Sequence, residues 1–293
     1  MTTIVFSFSE NKIIAENIIN HFGYEDGDVV FRHFPDSESH IYLESDVAKK
    51  EIIFVGSLNQ PDAKLFPLLS FMDTVKELGG KSVGLIIPYL PYMRQDKRFQ
   101  PREAITSKTF AALISEKADW LLTLDPHLHR YNSLDEIYSI PSTVLHAASV
   151  ISDWIKANIK HPLIVGPDIE SKQWVSEVAE DAGVPFIVLQ KNRKGDEEVE
   201  ISVPEVEQYK DHTPVLLDDI ISTANTMIQT VKHLNRTEMK PTICIGIHAI
   251  FAGNAYQNLL NSGVQRIVTC NTIKHPSNQI DVSPVIVDFL KRL

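Results

Sequence analysis

Val215-Leu-Leu-Asp-Asp-Ile-Ile-Ser-Thr-Ala-Asn-Thr226 reads as an apolar strand, two carboxylates, a small polar turn and the start of a helix. An unbroken apolar run ahead of such a turn suits a strand covered on both faces, the usual setting of a parallel sheet. Working outward, the same strand–turn–helix–strand unit occurs twice. Pro214–Leu217, the turn Asp218–Thr223, a helix over Thr226–Leu234 and a strand over Thr242–Ala249 form one copy. Ile52–Gly56, the turn Ser57–Asp62, a helix over Lys64–Leu78 and a strand over Ser82–Pro88 form the other, with a turn that looks chemically bare. Further strands are predicted at Thr3–Phe6, Val29–Phe34, Trp120–Leu124, Leu163–Pro167, Pro185–Leu189, Val199–Val203 and Arg266–Cys270. Helical patterns lie at Asn11–His21, Ser107–Lys117, Leu145–Asn158 and Gln173–Asp181. The alternation predicts an α/β fold of mainly parallel sheets flanked by helices. The weak repeat predicts two similar domains, residues 1–145 and 146–293, joined near Ile140–His146.

Composition narrows the function. At roughly 150 residues per domain, 293 residues also suggest two domains. The formal net charge of −10, with no Lys/Arg block, excludes non-specific nucleic-acid binding, because an acidic surface repels phosphate backbones. The two cysteines, Cys244 and Cys270, both fall in apolar runs, which excludes a disulfide-stapled scaffold. MTTIVFSFSENK has neither a basic n-region nor a sustained apolar stretch, and no segment approaches the roughly 18 apolar residues of a membrane span. A cytoplasmic protein with no membrane partner is expected.

In open parallel sheets, ligands sit beyond the carboxyl ends of the strands, so the residues just after each strand carry the chemistry. Asp218 and Asp219 are acceptors suited to a vicinal diol, and Ser222, Thr223 and Thr226 surround a helix N-terminus, where free N–H groups suit a phosphate. A sugar phosphate such as ribose 5-phosphate fits both; an Asp pair capping the helix is the structural alternative. Thr123-Leu-Asp-Pro-His-Leu-His-Arg130 places His127 and His129 two apart, able to face one metal or phosphate. Asp168, ending Ile164-Val-Gly-Pro-Asp168, could complete a mixed site suited to Mg²⁺ or simply cap the next helix. Pro91-Tyr-Met-Arg-Gln-Asp-Lys-Arg98 offers cations for phosphate, and Phe34-Pro-Asp-Ser-Glu38 an aromatic ring with acids for an adenine and its ribose. Lys191-Asn-Arg-Lys-Gly-Asp-Glu-Glu198 is cationic at its start and contains a glycine, as a mobile lid would.

Taken together, these segments resemble the ribose-phosphate pyrophosphokinase family over essentially the full length. Phe34–Glu38 resembles its FPDGE turn, Arg94–Lys97 its Arg-Gln-Asp loop, and Thr106–Ala111 the helix that follows. Asp125–His127 resembles its Asp-Leu-His segment, Gly166–Asp168 its Ser-Pro-Asp, Lys191–Arg193 its Lys-x-Arg loop, and Asp218–Thr226 its sugar-phosphate loop. The resemblance implies two phosphoribosyltransferase-type domains. It also implies transfer of the β,γ-pyrophosphoryl group of MgATP to the 1-hydroxyl of ribose 5-phosphate, with ATP as co-substrate and Mg²⁺ as cofactor. By the same resemblance, Phe34, Asp36, Glu38, Arg94, Gln95, Asp96 and Lys97 bind ATP, and His127 with Asp168 serves the metal. Asp218, Asp219, Ser222, Thr223, Ala224, Asn225 and Thr226 bind the ribose phosphate, and Lys191 and Arg193 are catalytic. A homo-oligomer, a dimer or a multiple of dimers, is implied as well.

Three departures accompany the likeness. Ala224-Asn225-Thr226 stands where the family has Gly-Gly-Thr, Ile169–Lys172 where it is glycine-rich, and Ser37 where FPDGE has its glycine. Asn225 is the residue expected to take any left-handed conformation in its loop, since Asn tolerates it best among non-glycine residues. The altered loop leaves open a larger acceptor such as ADP-ribose. A non-catalytic regulatory relative and a metal hydrolase built on His127, His129, Asp168 and Asp218 are the other readings.

Overall fold

A computed structural model describes residues 2–194, 198–202, 206–237 and 239–292, with side chains described except at 170, 190–194, 198–202, 206 and 207. The chain divides into two units, Met1–His146 with Ser283–Leu293, and Ala147–Val282.

In the first unit β1 (Thr3–Ser7), α1 (Lys12–Phe22) and β2 (Glu25–Asp26) lead to a hairpin of β3 (Val29–His33) and β4 (Ser39–Leu43). Then come β5 (Glu51–Val55), α2 (Pro61–Glu77), β6 (Ser82–Ile87), α3 (Thr106–Lys117), β7 (Trp120–Leu124) and β8 (Ser142–Leu145). Six strands form one sheet in the order β2-β1-β5-β6-β7-β8, parallel at every junction, while β3 and β4 pair antiparallel outside it.

The second unit repeats this plan. After α4 (Ala148–Asn158) come β9 (Pro162–Gly166), α5 (Lys172–Ala182), β10 (Phe186–Val188) and an antiparallel ribbon of β11 (Gln190–Lys194) and β12 (Glu198–Ser202). Then follow β13 (Thr213–Ile221), α6 (Asn225–Leu234), β14 (Ile243–Ala249), α7 (Ala255–Leu260), β15 (Arg266–Cys270) and β16 (Asn278–Ile280). The sheet order is β10-β9-β13-β14-β15-β16, again all parallel.

The correspondence extends to helix ends. α1 stops at Gly23 (φ 68°) and α5 at Gly183 (φ 68°), left-handed caps that glycine enters without steric cost. α2 and α6 both open from a left-handed residue, Gln60 (φ 56°) and Ala224 (φ 60°). One helix breaks the symmetry. In the second unit α4 precedes the first strand and packs on α5, whereas α1 is partnered by α8 (Ser283–Leu290), from the far end of the chain. Asn17 Nδ2 donates to Ser283 Oγ at 3.0 Å, and α8 buries Ile286 and Val287. The domain expected to run from 146 to 293 therefore ends at Val282, because the apolar face of α8 is covered in the first unit.

The cores differ in chemistry. The first is aromatic: Phe6 and Phe54 both pack on Phe71, with ring centroids 5.2 and 4.9 Å away. The second is aliphatic, built on Leu163, Val165, Leu216, Met227, Val231 and Cys244. Each such buried side chain contributes about 1.5–3 kcal/mol. Gly84 on β6 lies under the Trp120 indole, where a Cβ would fall 1.9 Å from a ring atom.

Candidate active site

In the second unit, β13 continues four residues past Leu217, where the sequence reading ended it, and carries Asp218 and Asp219 inside the strand. Its pairing with β9 stops at Leu216, but pairing with β14 goes on to Ile221, opposite Ala249. The carboxylates help at this half-paired end: Asp218 Oδ1 accepts from Asp219 N at 3.1 Å, and Asp219 Oδ1 from Ile220 N at 2.8 Å. Asp168, after β9, caps the short turn into α5, its Oδ1 accepting from Ser171 N at 3.3 Å. Burial pushes the Asp218 carboxyl well above the usual carboxylate range, and the charges of Asp219 and Asp168 add to the effect. Three carboxylates thus share one neighbourhood at the carboxyl end of the sheet. Their oxygens suit a vicinal diol, and a single carboxylate among them suits a hard cation whose shell is completed by phosphates and water.

Ser222, Thr223 and Ala224 turn the chain from β13 into α6. The left-handed residue of this turn is Ala224, not Asn225, which is already the first residue of α6. Ala224 has no side chain with which to cap the helix, so the first amides of α6 have no acceptor from their N-cap residue. Thr223 and Asn225 are exposed, and Ser222 and Thr226 half-buried.

The equivalent turn of the first unit is filled by the protein itself. Asn11 and Ser57 are buried and doubly hydrogen-bonded, and Lys64 Nζ donates to Ser57 O at 2.8 Å and Asn59 Oδ1 at 2.7 Å. Lys64 also pairs with Glu10. An ammonium group therefore sits across the turn whose counterpart in the second unit presents carboxylates.

Lys191 and Arg193 lie on β11, opposite Ile201 and Val199 in register, so the start of the expected lid is paired strand. Residues 195–197 of that segment, and Val203 of the expected strand, lie outside the described residues.

In the first unit, the Phe34–Glu38 turn joins β3 to β4. Phe34 N donates to Glu38 O at 2.8 Å, Asp36 Oδ1 accepts from Glu38 N at 3.3 Å, and Ser37 has φ 73°. An open cavity of about 880 Å³ lies beside it, lined by His33, Ser37, Glu38, Asp62 and Phe66 among others. Arg94 and Lys97 are exposed, but their two neighbours look inward. Gln95 Nε2 donates to Glu103 Oε1 at 3.1 Å, and its Oε1 accepts from Thr106 Oγ1 at 2.7 Å. Asp96, expected at the nucleotide, is buried with its side chain 1% exposed and paired with Arg130. Glu103 gathers the amides of Gln100 and Phe99, which hold its carboxyl below the usual range. Sequence reasoning missed Glu103, which closes a local turn of backbone amides, and Arg130, whose partner Asp96 lies 34 residues away.

His127 and His129 stack with centroids 5.3 Å apart and so share a face. Asp125 (φ 37°) ahead of them accepts from His146 Nδ1 at 2.8 Å. Among the described residues, no three His, Cys, Asp or Glu side chains are grouped so as to hold a metal. Among the described residues, no helix is long and apolar enough to cross a membrane.

Two parallel sheets of identical order, one ending in a carboxylate-and-turn cradle, define a tandem phosphoribosyltransferase-type protein. Residues 3–117 match the family model described as the N-terminal domain of ribose phosphate pyrophosphokinase, and residues 133–286 that of the phosphoribosyl transferase domain. The ribose-phosphate pyrophosphokinase of Sulfurisphaera tokodaii is 32% identical over 260 residues, 86% of this chain and 88% of that one. That of Methanopyrus kandleri is 28% identical over 99% of both chains. The fold is shared with the crystal structure of phosphoribosylpyrophosphate synthetase from Mycobacterium smegmatis, with TM-score 0.85 and 21% identity over 99% of this chain and 98% of that one. This chain belongs to the ribose-phosphate pyrophosphokinase family.

Proposed function

We propose that the protein transfers the β,γ-pyrophosphoryl group of MgATP to the 1-hydroxyl of ribose 5-phosphate, giving phosphoribosyl pyrophosphate and AMP. The carboxylate cluster beside the uncapped start of α6 is the observation that carries this reading. Asp218 and Asp219 accept from the ribose hydroxyls, and Ser222, Thr223 and Thr226, with the Ala224-Asn225 backbone and the first α6 amides, take the 5-phosphate. The 1-hydroxyl oxygen bonds to the β-phosphorus, the α–β bridge breaks with its oxygen leaving on AMP, and the hydroxyl proton passes to solvent.

Such a transfer asks little covalent chemistry of a protein, so positioning and charge carry it. Arg94 and Lys97 hold ATP with Phe34, Asp36 and Glu38, while Gln95 and Asp96 shape the loop from inside. Lys191 and Arg193 stabilise negative charge on the transferring group. Asp168 would hold Mg²⁺, which would supply neutralisation of phosphate charge when bound. The family likeness supports a homo-oligomer, a dimer or a multiple of dimers.

The test is AMP release from MgATP with ribose 5-phosphate and ADP-ribose as parallel acceptors. Formation of AMP that depends on ribose 5-phosphate is expected. Release with ADP-ribose alone would move the acceptor class and make the exposed Asn225 its physical cause. ATP binding without AMP from either acceptor would leave a non-catalytic relative.

A further inference from the structure

Arg130 directly follows the paired histidines, yet its guanidinium reaches back to another loop. Its Nη1 donates to both carboxylate oxygens of Asp96, at 2.8 and 3.0 Å. The pair is asymmetric: the Asp96 side chain is 1% exposed and that of Arg130 38%. The next residue repeats the link, with Tyr131 OH donating to Asp96 O at 3.1 Å. Arg130 and Lys97 also both lie over the Phe99 ring, 5.5 and 5.2 Å from its centroid. Both oxygens of this deeply buried carboxylate are held by the one guanidinium nitrogen fixed beside them, so the position of Arg130 decides that of Asp96. Because Asp96 lies between Gln95 and Lys97, it decides the loop as well.

We propose that Arg130 is a positioning residue that clamps the cationic loop 94–98 onto the histidine loop 125–129, holding both as one block. The inference rests on the nucleotide-binding reading of Arg94 and Lys97 and adds a residue that touches no substrate. It predicts that ATP affinity depends on a side chain turned to Asp96 and the Phe99 ring. It also predicts that ribose 5-phosphate affinity does not, since the second-unit cradle has no part in the clamp.

The test compares Arg130→Gln, Arg130→Lys, Asp96→Asn and the Asp96→Asn/Arg130→Gln double variant with the full wild-type chain. It reads thermal midpoint, KM for each substrate, and MgATP binding by calorimetry. For Arg130→Gln, KM and Kd for ATP are expected to rise roughly 10-fold, with KM for ribose 5-phosphate within about twofold of wild type. Arg130→Lys, which keeps the charge but loses the planar fork, should recover part of the loss. The double variant should bind ATP no more weakly than Arg130→Gln alone, since contacting residues are non-additive. A lowered midpoint with ATP affinity unchanged would reduce Arg130 to a structural ion pair and overturn the proposal, as would additive losses or equal rises in both KM values. If Arg130→Gln does not fold, Arg130→Lys and the neutral double variant carry the same comparison. The calorimetric arm needs no turnover, so a wild type that binds MgATP but makes no AMP would defeat the reaction reading without deciding this one.

Discussion

At Asp218 the fold buries a carboxylate at a cost in stability. Its carboxyl is held well above the usual range by burial and then by Asp219 and Asp168. A group whose folded pKa is raised stabilises the fold while protonated. That contribution is full below the unfolded value near about 3.9 and is lost as pH rises through the folded one. Asp218→Asn stays neutral throughout. Its melting-temperature advantage over wild type should therefore be near zero at about pH 4 and grow as pH rises, while turnover with ribose 5-phosphate is lost. A difference flat in pH would refute the burial argument. Ser37 gives a second residue-scale case. It has φ 73°, where the family motif has glycine, and an L-residue there costs roughly 1–2 kcal/mol, part of which glycine returns as chain entropy. Ser37→Gly is expected to raise the unfolding free energy by about 0.5–1 kcal/mol in denaturant titrations. Ala224→Gly should come out near neutral, because it gives up a buried methyl worth about 0.8 kcal/mol.

Among the elements, the β11–β12 ribbon and the β3–β4 hairpin occupy one place in the repeat, between the second and third strands of their sheets. Each carries a segment assigned to the phosphates or base of ATP. Lys191→Ala on the ribbon should leave calorimetric ATP binding nearly intact and lower kcat roughly 10²–10³-fold, the usual cost of one stabilising charge. An unchanged kcat would remove Lys191 from the mechanism. Helices α1 to α6 and the central strands were legible, the strands because buried parallel strands are continuous apolar runs, as at Ile52–Val55 and Ile243–Ala249, whereas α7 and α8 were not among the helices read. Ser142–Leu145 and Asn278–Ile280 were not, since short edge strands mix polar and apolar residues and show no period. The end of β13 was hidden for another reason: aspartates disfavour strands, and only pairing with His248 and Ala249 overrides that preference. Motif segments located the carboxylates and the turn beside α6. They gave no sign that Asp96 is buried, because its partner Arg130 lies 34 residues away.

At the scale of the whole molecule, two copies of one sheet have diverged in chemistry while keeping their order of strands. The helix packed on the first helix of each sheet comes from opposite directions: α4 just before β9, and α8 after β16. Deleting Ser283 onward should therefore speed amide hydrogen exchange in α1 and leave β9 to β15 protected. Lost protection in α5 instead would contradict the assignment of α8 to the first unit. The second sheet can complete its packing as soon as residue 282 has left the ribosome, whereas the first, although made earlier, must wait. Asn17 meets Ser283 across 266 residues of sequence. A chain interrupted before that point leaves one flank of α1 bare, so an early-made helix stays open to a protease or chaperone until α8 has been made.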